Sequence, residues 1–200
     1  MTDVSTSQAQ SLGLAVRRTL NHAIEVYRDS PEAVSWLRQH LTRFDEPLRL
    51  AIAGKVKAGK STLLNALVGE NLAATDAGEC TKVVTWYQDG HAPAVTMYPR
   101  SGSPRQLRIG RTRDGLDIDL DGMSADDVDR LVVTWPSSSL RTTTLIDTPG
   151  IGSLSTDVSQ RTSQFLTPED SPTAADAVLY LMRHLHAASI HLLEAFHDQG

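Results

Sequence analysis

Residues 54–61 read Gly54-Lys55-Val56-Lys57-Ala58-Gly59-Lys60-Ser61, a complete G-x-x-x-x-G-K-S run. The apolar stretch Leu50-Ala51-Ile52-Ala53 precedes it and predicts a short buried strand, while Lys60 to Val68 predicts a helix. A strand, a glycine-bounded loop and a helix in this order leave few folds open. The glycines let the backbone curl so that successive N–H groups point inward, and the start of the helix adds its positive end. That concavity suits phosphate oxygens. Lys60 supplies a point charge to the β and γ phosphates, and Ser61 offers a hydroxyl to Mg²⁺ with Thr62 behind it. The predicted nucleotide-binding set is therefore Gly54, Lys55, Val56, Lys57, Ala58, Gly59, Lys60, Ser61 and Thr62.

A second element lies downstream. Asp147-Thr148-Pro149-Gly150 follows directly on the apolar end Leu145-Ile146 of another predicted strand. Asp, Pro and Gly also make ordinary turns, so alone this D-x-x-G is a weak signal. Paired with the loop upstream it becomes a strong one. A carboxylate at Asp147 is placed to hold the Mg²⁺ shell, and the Gly150 N–H to sense a γ phosphate.

Between and around these motifs, strands are predicted at Val83–Tyr87, Ala94–Tyr98, Leu116–Leu120, Leu131–Trp135, Thr142–Ile146 and Ala177–Met182. Turns at Asp89-Gly90, Ser101-Gly102 and Asp114-Gly115 separate several of them, and Ser124 is placed to cap a short acidic helix through Asp129. Strands alternating with helices predict an α/β fold, a mainly parallel sheet with helices on both faces, and the paired G-x-x-x-x-G-K-S and D-x-x-G motifs make it resemble a P-loop GTPase. Ahead of it, Leu12, Val16, Leu20, Ile24 and Tyr27 repeat at helical spacing. Ser30-Pro31 opens a second helix carrying Val34, Leu37, Leu41 and Phe44, which Pro47 stops. The expected organisation is a disordered 1–10, a helical bracket over 11–47, and the N-terminal portion of a GTPase domain over 48–200.

Composition narrows the function classes. Nineteen Lys and Arg against twenty-four Asp and Glu leave a formal charge of −5, the wrong sign for a chain that coats nucleic acid. One cysteine, Cys80, allows no intrachain disulfide, and the expectation is a cytoplasmic protein. No stretch approaches the roughly 18 apolar residues of a spanning helix, so any membrane is expected to be met from its surface. Cys80 reads as a small half-buried residue in preference to a redox sensor. His184, His186, His191 and His197 match no common ligand spacing. Arg100, Arg105, Arg108, Arg111 and Arg113 read as a solvated hairpin, with contact to a partner or lipid head group as the alternative.

The run Gly59-Lys60-Ser61-Thr62-Leu63-Leu64-Asn65-Ala66-Leu67-Val68-Gly69, together with Asp147-Thr148-Pro149-Gly150, resembles bacterial dynamin-like GTPases. Within them it is most similar to the isoniazid-inducible dynamin-like proteins of mycobacteria and their actinobacterial relatives. Thr81 stands twenty residues past Ser61, where the resemblance places a switch threonine that closes on Mg²⁺ and the γ phosphate. The resemblance implies GTP as substrate and GDP as product, Mg²⁺ at Ser61, Thr81 and Asp147, and catalytic roles for Lys57, Lys60 and Thr81. It further implies self-association through the nucleotide face and membrane remodelling at the inner face of the cell membrane, with no nucleic acid as partner.

Two departures bear on mechanism. Ile151 and Gly152 follow Gly150 where Ras-like proteins carry a water-orienting glutamine, and no Thr/Asn-Lys-x-Asp motif for reading guanine occurs in residues 1–200. The second departure leads to the expectation of an N-terminal portion lacking the base-reading half. Lys57 has two readings: an internal finger supplying the charge that a monovalent cation supplies in some relatives, or a solvated side chain. An RNA-associated GTPase of the ribosome-assembly or tRNA-modification type shares these motifs, and a non-catalytic nucleotide-binding module is the third alternative. The acidic balance and the helical bracket favour the dynamin-like reading.

Overall fold

The structure, a computed structural model, describes residues 3–73, 82–113, 115–149 and 175–182; for residues 3–10 it describes the backbone alone. The chain divides into two compact units, 1–46 and 47–200.

The first unit is a pair of helices, α1 (Asp3–Val26) and α2 (Pro31–Arg43). Helix α1 begins well before residue 11, so the stretch expected to be disordered is helical from Asp3 onward. Ser30 caps α2 as its spacing from the helix predicts, its Oγ accepting from the Ala33 N–H at 3.4 Å, with Pro31 at the first turn. Leu37 is buried, and Leu20, Ile24, Val34 and Leu41 are half-buried. Leu12, Val16, Tyr27 and Phe44, read from their spacing as part of the same apolar faces, are exposed. A four-residue period aligns residues on a helix but does not say how wide a stripe its partner covers. The pair is tied at one end by Arg17, which bonds Asp45 at 2.7 Å and lies over the Phe44 ring.

The second unit is built on a seven-stranded sheet in the order β4-β3-β7-β2-β8-β1-β9. Its strands are β1 (Leu48–Gly54), β2 (Val84–Asp89), β3 (Ala94–Pro99), β4 (Arg105–Leu107), β7 (Val128–Trp135), β8 (Thr143–Asp147) and β9 (Ala177–Leu181). Strands β5 (Ile109–Thr112) and β6 (Gly115–Ile118) form a separate two-stranded hairpin. Strand β1 is parallel to both β8 and β9, giving the parallel centre expected of strands joined through helices. The flank is mixed: β2 is antiparallel to β8 but parallel to β7, and β3 is antiparallel to β7. Although only four residues separate β2 from β3, the two do not pair. Strand β7 lies between them.

Strand β7 also begins earlier than its alternation suggests. The helix read from Ser124 to Asp129 is a single 3-10 turn, Ala125–Asp127, with Ser124 Oγ accepting from the Asp126 N–H at 3.3 Å. Val128 then enters the strand, and both Val128 and Leu131 face the core. Two inward residues three apart break a period of two, and the register shift opposite Tyr98 and Pro99 absorbs the extra residue as a bulge.

Helix α3 (Lys60–Val68) runs as expected and ends at Gly69 in a left-handed cap, the Gly69 N–H reaching the Asn65 carbonyl at 2.9 Å. Its Leu64 and Val68 pack into the main core with Ile52, Tyr87, Val95, Met97, Leu131, Val133 and Leu145. Full burial of side chains of this size contributes roughly 1.5–3 kcal/mol each, which fixes α3 and hence the loop before it against the sheet. The opposite face carries Ala51, Ala53 and Ile146 with Val84, Trp86, Val178 and Tyr180.

Candidate nucleotide site

The loop from Gly54 to Gly59 leaves the carboxyl end of β1 and enters α3 at Lys60. Gly54 is demanded by space as well as by the turn: with φ +149, a Cβ here would lie 2.4 Å from the Leu181 carbonyl oxygen of β9. Lys55, Val56 and Lys57 are exposed along the loop, and Ala58 donates its N–H back to the Lys55 carbonyl at 3.1 Å. Lys57 adopts φ +62, a conformation that costs a non-glycine residue free energy and that recurs at functional loops. Gly59 takes φ +103 at the N-cap and has no side chain with which to cap the helix. The first-turn N–H groups of α3 therefore have neither a helical acceptor nor a capping oxygen, the arrangement that receives an anion.

Lys60 and Ser61 stand half-buried in that first turn, and Thr62 is exposed beside them. The Lys60 ammonium donates to the Gly54 and Lys55 carbonyls at 3.1 and 3.2 Å, folding back across the loop. Burial pushes its pKa down, and the Asp147 carboxylate opposes that shift.

Asp147 ends β8 with its Cα in register with Ile52 of β1, two residues before Gly54. Thr148 locks this placement: its hydroxyl and its N–H both donate to the Ile52 carbonyl, at 3.0 and 3.3 Å, and the residue is buried. Asp147 as a whole is half-buried, but its Oδ1 is shut off from solvent and finds no hydrogen-bond donor among the described residues. Desolvation raises its pKa to about 6 against the pull of Lys60. A buried carboxylate oxygen without a donor is costly unless a donor or a cation meets it. A hard divalent cation takes oxygen ligands of this kind. The residues present thus fit Mg²⁺ at Asp147 and Ser61, and the helix start fits phosphate. Thr81 and Gly150, the remaining predicted members, lie outside the described residues, as do Cys80, Ile151, Gly152 and the four histidines from His184 onward.

Two residues belong to this framework that motif reading passed over. Thr148 is one. Asn65 is the other: buried on the inward face of α3, its Oδ1 accepts from the Leu72 and Ala73 N–H groups at 2.9 and 2.8 Å, and its Nδ2 donates to the Ala73 carbonyl at 3.0 Å. A polar residue on the same helical face as Leu64 and Val68 was the available signal, because such a position is tolerated only with its hydrogen bonds satisfied.

A strand-loop-helix anion cradle with a buried acid at the end of the adjacent parallel strand defines a P-loop nucleotide-binding domain of the GTPase class. The chain belongs to the dynamin family, whose family model matches residues 50–199. It is 43% identical over 185 residues to the isoniazid-induced protein IniC of Mycobacterium tuberculosis, covering 90% of this chain and 37% of that protein. It is 36% identical over 114 residues to a bacterial dynamin-like protein of Nostoc punctiforme, covering 52% of this chain and 16% of that one. Among solved structures, one from an oligomerised bacterial dynamin pair, described in its report as sensing and tethering membranes, superposes with a TM-score of 0.61 over 91% of this chain and 29% of its own. At 16% identity that likeness concerns the fold alone. The chain spans little more than a third of the length of the mycobacterial relative.

Proposed function

We propose that this chain is the phosphate- and metal-binding part of a GTP-hydrolysing dynamin-like protein that dimerises through its nucleotide face and remodels membranes. The observation that carries the catalytic part is the buried Oδ1 of Asp147, which finds no donor among the described residues and faces the field of Lys60 at the end of the strand paired with the P-loop strand. Mg²⁺ bound there would neutralise charge on the β and γ phosphate oxygens. The chain's own groups would do the rest: Ser61 and Asp147 would hold the cation's shell, first-turn N–H groups would orient the phosphates, and Lys60 would turn from the Gly54 and Lys55 carbonyls to the phosphate oxygens. Thr81 would add a further oxygen ligand and Gly150 an N–H toward the γ phosphate. Lys57, exposed on the loop with a left-handed backbone, is assigned the charge that a monovalent cation supplies in some relatives. Among the described residues no helix is long and apolar enough to cross a membrane, in keeping with contact at the inner face of the cell membrane from the surface. Dimerisation and membrane work are drawn from family membership and from the relatives' printed descriptions.

The test is GTP turnover by the full-length protein. Lys60→Ala is expected to abolish hydrolysis, because the β and γ charges lose the half-buried ammonium of the loop. Lys57→Ala is expected to reduce turnover far more than affinity, with K⁺ or Na⁺ restoring part of the rate. Near-normal turnover in Lys60→Ala would remove the P-loop assignment. A Lys57→Ala rate within about a factor of two of wild type would leave that lysine a solvated side chain.

A further inference from the structure

Downstream of α3 the chain passes through Gly69–Ala73, the last described stretch before residue 82, and this short passage is held from three sides. Asn65 grips Leu72 and Ala73 through the three buried hydrogen bonds described above. The Leu116 N–H of β6 donates to the Leu72 carbonyl at 3.0 Å. Arg111 of β5 bonds Glu70 at 2.6 Å and lies over the Trp135 ring, its guanidinium carbon 5.1 Å from the ring centroid. The Arg111 guanidinium, and after it the Trp135 side chain, hold the Glu70 carboxyl below the usual carboxylate range. Trp135 ends β7 and is buried, so the cluster joins the end of α3 to the sheet.

Residues of three strands and a helix end thus converge on one turn, although Arg111 and Glu70 are 41 residues apart in sequence. The side chains of Arg111 and Glu70 are about half exposed, at 54% and 43%. An exposed ion pair contributes little to global stability. Its geometric effect is local: it sets where the chain stands as it leaves the phosphate-binding helix. Of the five arginines in the basic stretch, Arg100 donates to the Asp126 carbonyl and Arg111 is committed to Glu70 and Trp135.

We infer that Arg111 is a positioning residue for GTP hydrolysis, acting through its ion pair with Glu70 to fix the turn that follows α3, so that the β5–β6 hairpin is part of the reaction's framework. The inference rests on the GTPase reading above, in which Thr81 acts from the sequence that follows this turn. A turn released by a fraction of an ångström to an ångström misplaces such a group without abolishing phosphate binding, and displacements of that size can lower rates by as much as about a hundredfold.

The experiment compares wild type, Arg111→Ala, Glu70→Arg and the reversed pair Glu70→Arg/Arg111→Glu in the full-length protein. Steady-state GTP turnover, GDP affinity by calorimetry, melting temperature, and hydrogen exchange at the Leu72 and Ala73 amides are the readouts. Arg111→Ala is expected to lower kcat about tenfold, to leave GDP affinity within about twofold, and to speed exchange at those two amides. The reversed pair is expected to recover turnover to within about threefold of wild type, which neither single variant does. Turnover within twofold of wild type in Arg111→Ala overturns the inference, and so does a parallel loss of GDP affinity and melting temperature that the reversed pair does not repair. A wild-type protein that binds GTP without hydrolysing it would instead overturn the GTPase reading, and the inference with it.

Discussion

At the scale of single residues, Asp147 carries the most information. Its carboxyl is buried at the end of a strand with one oxygen lacking a donor among the described residues, and burial raises its pKa from 3.8 to about 6. In the unfolded chain the same group ionises near its ordinary value. Between pH 4 and pH 6 the folded chain therefore binds more protons than the unfolded one, so stability declines as pH rises through that window and levels off above it. The difference corresponds to roughly 3 kcal/mol at most. Urea unfolding of the metal-free chain at pH 4.5 and 6.5, compared between wild type and Asp147→Asn, isolates this contribution: the variant is expected to lose it. An identical pH dependence in both would mean that the carboxylate is not desolvated. The sign reverses for metal. Mg²⁺ prefers the ionised carboxylate, so its affinity is expected to fall as pH drops below about 6. Much of this site was legible in the sequence, since G-x-x-x-x-G-K-S and D-T-P-G name Lys60, Ser61 and Asp147 directly. The roles of Asn65 and Thr148 were not legible, because each depends on which carbonyl or amide the fold brings to it.

At the scale of elements, the contact between β1 and β9 decides what Gly54 can be. The motif explains Gly54 by the turn, but the structure adds the Leu181 carbonyl oxygen, 2.4 Å from where a Cβ would sit. That obstacle is backbone and is held in register from Leu50–Ala177 to Gly54–Leu181, so it cannot step aside as a side chain would. Gly54→Ala is expected to destabilise the chain by about 2–4 kcal/mol through overpacking and a disfavoured φ. Thermal unfolding without nucleotide measures it. A melting temperature equal to wild type would show that β9 does not press against the loop. Helix α3 and strands β1, β8 and β9 were readable from periodicity and caps, each being a local pattern with clear ends. Strand β6 was readable from the run that begins at Leu116 and from the Asp114-Gly115 turn before it, whereas β5, the edge strand β4 and the bulged start of β7 were not. Arg105, Arg108, Arg111 and Arg113 obscure the alternation there, and the bulge breaks the period that reading a strand depends on.

At the scale of the whole molecule, base recognition is the property that these 200 residues are least equipped to supply. No Thr/Asn-Lys-x-Asp motif occurs in them, and discrimination between purines requires buried partners for the polar edge of the base. The 200-residue chain is expected to bind GTP weakly and with little preference over ATP in calorimetry. Tight, guanine-selective binding would show that a base contact exists within this sequence. Taken by itself, the sequence determined the class of the domain, because the anion cradle and its acid are local motifs whose chemistry and neighbouring strand and helix are written within a few residues of each other. It determined the boundaries of α3 and the centre of the sheet for the same reason. The order of the flanking strands was decided only in three dimensions. Strand β7 separates β2 from β3 despite a four-residue connection, and Arg111 finds Glu70 across 41 residues. Hydrophobic periodicity says which face of a strand is buried but not which strand lies beside it. That choice belongs to the packing of the whole core.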